Sequence, residues 1–295
     1  MTSPAAPRWR PLLLALGLAG LSCAAAQPGP GAPQAPAPGQ YATVNGIRLY
    51  FEVHGQARDG AAPLVLIHGG GSTIESNWGR VLPLLARTRQ VIAVEEQGHG
   101  HTPAADRPFT FENTADDVAA LLRHLRVARA DVMGFSNGGS TALRLGLRHP
   151  DQVRRLVVIS AMSRRDGMVP GFWEGLDAAT LASMPEALKA ADRKINPDPR
   201  HLEALFAQDL GRIRAFRDWP DADLTGIAAP TLVVVGDRDA ILPEHALRMA
   251  RLLPKGRLLV VPGGHGDPIG EVAATQRETA TPAAVTALIE AFLDD

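Results

Sequence analysis

The residues Gly134-Phe135-Ser136-Asn137-Gly138 stand where the short apolar run Val132-Met133 passes straight into a helix-forming stretch, with no loop between them. A strand that turns this sharply into a helix forces a strained backbone on its central residue, and flanking glycines remove side chains that would collide across the turn. Glycine alone would make such a turn more cheaply, so a hydroxyl at Ser136 points to chemistry. It would project above the strand ends at a helix N-terminus, where free N–H groups favour a developing negative charge. A serine hydroxyl is a weak nucleophile until a base takes its proton, and the base needs an acid to orient it. The chain supplies both later, in the order Ser, Asp, His. Asp237 and Asp239 follow the apolar run in VVVGDRDAILP, and His265 follows another in LVVPGGHGDP. Asp239 is the preferred acid, because Asp237 is nearer the strand and better placed to close the turn. Asp237 stays as the alternative, and either can cap the helix near Pro243. Two backbone amides would receive the oxyanion: that of Asn137, and one from His68-Gly69-Gly70-Gly71. Gly70 is the expected donor, with Gly69 or Gly71 as alternatives, and His68 is expected to brace the loop.

These groups need a scaffold that brings distant loop tips together. Tyr41 to Gly55 reads as a hairpin about Asn45-Gly46. Strand-length apolar runs then begin near Pro63, Gln90, Ala130, Arg155, Pro230 and Arg257. Their near-continuous Val, Ile and Leu content argues for strands covered on both faces. Helical periodicity fills the gaps, for example Val118, Leu121, Leu122 and Leu125 on one stripe. The reading is an α/β fold with a mostly parallel, doubly wound sheet. Between residues 163 and 226 the alternation breaks, and Leu202, Leu205, Phe206, Leu210, Ile213 and Phe216 form one stripe. This segment is expected to be a small helical lid over the sheet's carboxyl edge, with residues 41–162 and 227–295 forming the core.

The first residues do not belong to that core. Arg8 and Arg10, the run PLLLALGLAGL and the small residues of SCAAAQ have the order of a secretory signal peptide, assigned to residues 1–26. The apolar run is shorter than the roughly 20 residues of a membrane-spanning helix. Residues 27–40, QPGPGAPQAPAPGQ, form a Pro/Gly/Ala tether. Export to the periplasm or medium is expected, and acylation of Cys23 as a lipid anchor is the alternative. Thirty basic against 31 acidic residues, with a formal net charge of −1, give no field for nucleic acid. A small-molecule ester or lactone is the expected partner.

From about Tyr41 onward the chain resembles the α/β-hydrolase superfamily, in particular its lidded esterase, lactonase and haloperoxidase-like branch. The matching pieces are VNGIRLYFEVHG, LVLIHGGG, EEQGHGHT, GFSNGG, GDRDAILP and PGGH, in the family's order. The resemblance implies the fold, a lid, an acyl-enzyme on Ser136, and no cofactor. It leaves hydrolysis of a small to medium carboxylic ester or lactone, carbon–carbon bond hydrolysis and perhydrolysis open, and a ligand binder with a vestigial triad is the non-catalytic rival. Two departures stand out. Glu95 to Thr102 replaces the usual D-x-R-G-x-G-x-S turn, and the segment after His265 is longer than usual, so that an added loop would border the site's mouth. His99 and His101 are expected to serve that turn rather than a metal. Arg212, Arg214 and Arg217 are expected to face solvent, and Met162, Met168, Phe172, Trp173 and Met184 are candidates to line an acyl pocket.

Overall fold

The hairpin at Asn45-Gly46 sets the sheet's first edge. Strands β1 (Gln40–Val44) and β2 (Ile47–His54) pair antiparallel, with Val44 opposite Ile47. Asn45 and Gly46 both take positive φ, 45° and 81°, as a two-residue turn matching the strand twist requires. The structure is a computed structural model that describes residues 39–58, 60–275 and 279–295; the expected leader and nearly all of the tether lie outside the described residues.

After the hairpin, strands and helices alternate: β3 (Leu64–Ile67), α1 (Ile74–Trp78), α2 (Leu82–Leu85), β4 (Val91–Glu95), α3 (Phe111–His124), β5 (Ala130–Phe135), α4 (Asn137–Arg148) and β6 (Val153–Ile159). Four helices then follow without a strand: α5 (Phe172–Asp177), α6 (Glu186–Ile195), α7 (Pro199–Arg214) and α8 (Asp221–Thr225). The alternation resumes with β7 (Thr231–Gly236), α9 (Pro243–Leu252), β8 (Gly256–Val261) and α10 (Thr281–Asp294). The eight strands lie in the order β1-β2-β4-β3-β5-β6-β7-β8, and all pairs from β4 to β8 are parallel.

The period of two in the strands divides the core into two layers. Val65, Ile67, Val132, Leu156, Val158, Val233 and Val235 face the layer that holds residues of α3, α4 and α9. Leu64, Leu66, Met133, Val157, Ile159, Leu232 and Val234 face the layer of α1, α2 and α10. Both faces are apolar because both are covered, which is why no polar alternation shows in these runs. Burying each such side chain contributes about 1.5–3 kcal/mol before chain entropy is set against it. Strand β8 departs from the expectation of two covered faces. It is the sheet's last strand, and Val260 on it is 44% exposed.

The order in which strands are added reverses at β3: β4 lies on one side of it and β5, also parallel, on the other. The loops leaving β3 and β5 therefore part over a crevice at the carboxyl edge, the position where open α/β sheets receive ligands. Backbone approach there is extreme. A Cβ on Gly138 would lie 2.1 Å from the Ile67 carbonyl oxygen, and one on Gly134 would lie 2.1 Å from the Gly138 carbonyl oxygen. Gly138→Ala is expected to lower unfolding free energy by about 3 kcal/mol, at the upper end for overpacking, since the obstacle is backbone. Urea unfolding of the two proteins checks this, and coincident curves would contradict the turn as described.

Candidate functional site

Ser136 sits at φ 54° and ψ −119°, between the end of β5 and the first residue of α4. Conformations of this kind cost about 1–3 kcal/mol and persist only when the surroundings over-determine them. Here the Ser136 amide donates to the Ile159 carbonyl at 2.8 Å, and its carbonyl accepts from Gly139 at 2.9 Å and Ser140 at 3.1 Å. The side chain is thereby lifted out of the sheet and left partly exposed, while Asn137 and Gly138 beyond it are buried.

Three loop tips meet at this hydroxyl. Ser136 Oγ lies 3.0 Å from His265 Nε2, and His265 Nδ1 lies 2.7 Å from Asp239 Oδ1. A carboxylate only accepts, so Nδ1 carries a proton toward Asp239 and Nε2 is free to accept from Ser136. Asp239 is held by two further donors, the Ile241 amide at 3.0 Å to Oδ1 and the Ser160 hydroxyl at 2.5 Å to Oδ2. Asp237 takes the other job: its Oδ1 accepts from the Gly263 amide at 2.8 Å and ties the β7 and β8 loops together. The Phe135 ring packs on the imidazole with centroids 4.9 Å apart. The His265 side chain lies deep among protein atoms yet keeps 38% of its surface accessible, so a small molecule can reach it.

Burial pushes the His265 imidazole down, but the charge and hydrogen bond of Asp239 outweigh it, and its pKa stands above the ordinary 6.5. Burial pushes the Asp239 carboxyl up, and the His265 charge and hydrogen bond, with the Ile241 and Ser160 donors, bring it below its ordinary value. His68 shows what burial does without a carboxylate partner. Its Nδ1 donates to the Gly69 carbonyl at 2.7 Å, its Nε2 accepts from the Glu96 amide at 3.0 Å, and it is driven down to about 3. His68 is a neutral brace.

The glycine loop sorts its own amides. Gly69 donates to Asn77 Oδ1 at 2.9 Å, and Gly71 donates to Asp209 Oδ2 at 2.6 Å. Gly70, between these two committed amides, abuts the elbow: a Cβ there would lie 2.7 Å from Asn137 Nδ2. The apolar wall beside this loop comes from the inserted helices. Met184, Leu188, Leu202 and Leu205 form a separate buried cluster, and the Met184 methyl would meet a Cβ on Gly71 at 2.7 Å. Val272 and Ala273, from the segment after His265, pack against the same cluster. Of the expected pocket residues only Met184 belongs to it. Met162, Met168, Phe172 and Trp173 join the core layer of α3, α4 and α9 instead.

Arg212 corrects the expectation of a solvated face. Its side chain is 1% exposed and bonds Glu96 Oε2 at 2.9 Å and Asp209 Oδ1 at 3.2 Å, whereas Arg214 and Arg217 are exposed. His99 and His101 take separate carboxylates, Asp209 at 3.0 Å and Glu95 at 2.9 Å. Among the described residues no group of three or more His, Cys, Asp or Glu side chains is placed to hold a metal. Sequence reasoning missed Ser160 and Asp209. Ser160 had a visible signal, as the polar residue directly after a buried strand, whereas Asp209 had none.

A family model described as alpha/beta hydrolase fold matches residues 62–200. The chain is 32% identical over 224 residues to a 2-hydroxymuconate semialdehyde hydrolase of Pseudomonas sp. (strain CF600), covering 67% of this chain and 78% of the relative. It is 33% identical over 225 residues to a pimeloyl-[acyl-carrier protein] methyl ester esterase of Neisseria meningitidis, covering 69% and 85%. The share of a curated relative's length that is spanned falls to 65% in one case and rises to 91% in another. Among solved structures, an enol-lactonase from Burkholderia xenovorans LB400 superposes with a TM-score of 0.67 at 24% identity, over 87% of this chain and all of that one. That last likeness is one of fold. Among the described residues no helix is long and apolar enough to cross a membrane.

Nuclear magnetic resonance titration of the ring protons separates the buried histidines. His265 is expected to titrate above 6.5 and His68 to stay neutral down to about pH 3, and Asp239→Asn is expected to lower the His265 midpoint. A His265 midpoint below 6.5 in the unsubstituted protein would contradict the Asp239 contact.

Proposed function

Since the chain belongs to the α/β-hydrolase fold family, we propose that it is an exported serine hydrolase that cleaves a small to medium carboxylic ester or lactone. What carries this reading is the unbroken series Ser136 Oγ, His265 and Asp239, at 3.0 and 2.7 Å. On this reading Ser136 Oγ attacks the carbonyl carbon while His265 Nε2 takes its proton. Asp239 holds the imidazole in the tautomer that can accept, then stabilises the imidazolium. The carbonyl oxygen becomes an oxyanion, received by the Asn137 and Gly70 amides. Collapse expels the alcohol, which takes the proton from His265 and leaves an acyl group on Ser136. Water then attacks the acyl carbon with His265 again as base, releasing the acid and restoring the hydroxyl. With a lactone the expelled alcohol remains part of the product, a hydroxy acid.

The apolar cluster of Met184, Leu188, Leu202 and Leu205 supports an acyl portion with little polar character beside the glycine loop. Similarity to a methyl ester esterase supports the ester reading. A second reading, carbon–carbon bond hydrolysis by the same three side chains, has support from the relative named for a semialdehyde rather than an ester. In both readings the inserted helices 163–226 act as a lid, and a signal peptide is removed after residue 26.

Turnover of p-nitrophenyl esters of increasing chain length by the wild-type and Ser136→Ala proteins tests the mechanism. Loss of Ser136 is expected to lower kcat by about 10⁴-fold or more. A fluorophosphonate is expected to add one adduct at Ser136 in the wild type; a correctly folded protein that takes no adduct and turns over no ester is a binder. Because His265 must be neutral to act as base, kcat/KM is expected to rise with pH through a midpoint above 6.5, the direction in which Asp239 moves it. Intact mass of protein recovered from the exporting cell is expected to correspond to a chain beginning at Gln27; retention of a lipid-bearing Cys23 would replace this with the anchored alternative.

A further inference from the structure

Helix α7 delivers one carboxylate into the glycine loop, from 138 residues away in the chain. Asp209 Oδ2 accepts from the Gly71 amide at 2.6 Å and lies 3.0 Å from His99 Nε2, while its Oδ1 accepts from Arg212 Nη2 at 3.2 Å. His99 is further fixed by its Nδ1, 3.0 Å from the Gln97 carbonyl. Both partners of that ring accept hydrogen bonds and donate none, so both ring nitrogens must carry protons and His99 is an imidazolium. Arg212 in turn bonds Glu96 at 2.9 Å, and its guanidinium packs 3.9 Å from the centre of the Phe109 ring. Two cations and two anions therefore balance directly beneath the loop. The balance matters, because an uncompensated carboxylate beside an oxyanion hole would oppose the charge that develops there.

Three protein donors already occupy the Asp209 carboxylate, two on Oδ2 and one on Oδ1. We propose that Asp209 is a positioning residue: by engaging the Gly71 amide it fixes the peptide orientation of the glycine loop and leaves the Gly70 amide as the oxyanion donor. Docking of α7 and assembly of the oxyanion hole are then one event. A substrate-admitting displacement of the inserted helices dismantles the hole, and their return rebuilds it. The inference rests on the acyl-transfer reading above and concerns only how its oxyanion hole is set.

Full-chain Asp209→Ala, Asp209→Asn and Gln208→Ala proteins provide the test, with Ser136→Ala as the reference for the reading itself. Gln208 belongs to the same helix and donates to the Gln97 carbonyl at 2.8 Å, the carbonyl that also faces His99 Nδ1, and among the described residues it makes no hydrogen bond to the glycine loop. Asp209→Ala is expected to lower kcat on a p-nitrophenyl ester by about 10²-fold, the scale of one oxyanion donor lost, and to leave KM within about threefold. It is also expected to weaken inhibition by an aryl trifluoromethyl ketone, whose adduct carries an oxyanion, by a similar factor. Asp209→Asn keeps an acceptor for Gly71 and is expected to recover part of the loss, while Gln208→Ala is expected to change kcat less than threefold. Equal losses in the Gln208 and Asp209 variants, or a loss confined to KM, would overturn the proposal in favour of general docking of the helix. Hydrogen exchange in the wild type covers the case in which the substituted proteins fail to fold. The Gly71 amide is expected to exchange with the same opening rate as the amides of α7, and faster, independent exchange at Gly71 overturns the coupling. Wild-type turnover by Ser136→Ala would defeat the acyl-transfer reading instead, whereas an inactive Ser136→Ala beside a fully active Asp209→Ala defeats only the positioning role.

Discussion

No side chain fits between the Gly138 backbone and the carbonyl oxygen of Ile67, and the rest of the site follows from that close approach. It lets α4 begin directly over the end of β3, so the last residue of one strand and the first turn of the next helix share a floor. Parallel register sets Ile67 opposite Gly134, and one step further on the two chains diverge into the glycine loop and the serine turn. A single extra residue in either strand would separate the Gly70 and Asn137 amides and turn that strand's core side chains to the wrong layer. The strain at Ser136 is sustained because β5 lies in the middle of the sheet, fixed by β3 on one side and β6 on the other.

The electrostatic behaviour of the site is decided by which buried histidine meets a carboxylate. Burial acts on His68, His99, His245 and His265 in the same direction, against the charged ring. His68 and His245 have no direct carboxylate hydrogen bond and fall to about 3 and about 4. His99 and His265 each bond an aspartate and end above the ordinary value. The two raised rings nevertheless differ in the way chemistry requires. His99 faces two acceptors and has no lone pair to offer, whereas His265 faces one acceptor and the hydroxyl of Ser136, which can give up a proton. The surroundings favour the protonated ring in the first and leave one nitrogen able to exchange a proton in the second.

The sheet and the three converging loop tips were legible because each depends on local punctuation. Apolar runs of strand length ended in Gly-x-Ser-x-Gly, in Gly-Asp-x-Asp and in Gly-Gly-His, and parallel strands put all their carboxyl ends on one edge. The division of labour between Asp237 and Asp239 was also within reach, since the residue nearer the strand can only reach the adjacent loop. Long-range pairing was not legible. Arg212 and Asp209, three residues apart on a helix with exposed neighbours, have the pattern of a solvated face; their partners Glu96 and His99 lie 110 or more residues earlier. Ser160 shows a lesser gap, since its position at a strand end was visible but its bond to Asp239 depends on the β6–β7 pairing. Helices α1 and α2, of five and four residues, are too short for periodicity to reveal.

Two different forces hold the inserted helices where they are, and they do different things. The cluster of Met184, Leu188, Leu202 and Leu205 with Val272 and Ala273 supplies attraction, but apolar contact is non-directional and tolerates sliding. The Asp209 carboxylate, with donors from Gly71, His99 and Arg212, accepts one arrangement. A shift of the helix by an ångström would part Asp209 from His99 and Arg212 from Glu96, and breaking such a pair costs about 3–5 kcal/mol. Replacing all four charges by apolar side chains of equal volume would forfeit little stability by the same reckoning, so their value lies in register rather than strength. Even here the fit is incomplete, because among the described residues the buried Arg212 Nε has no hydrogen-bond partner.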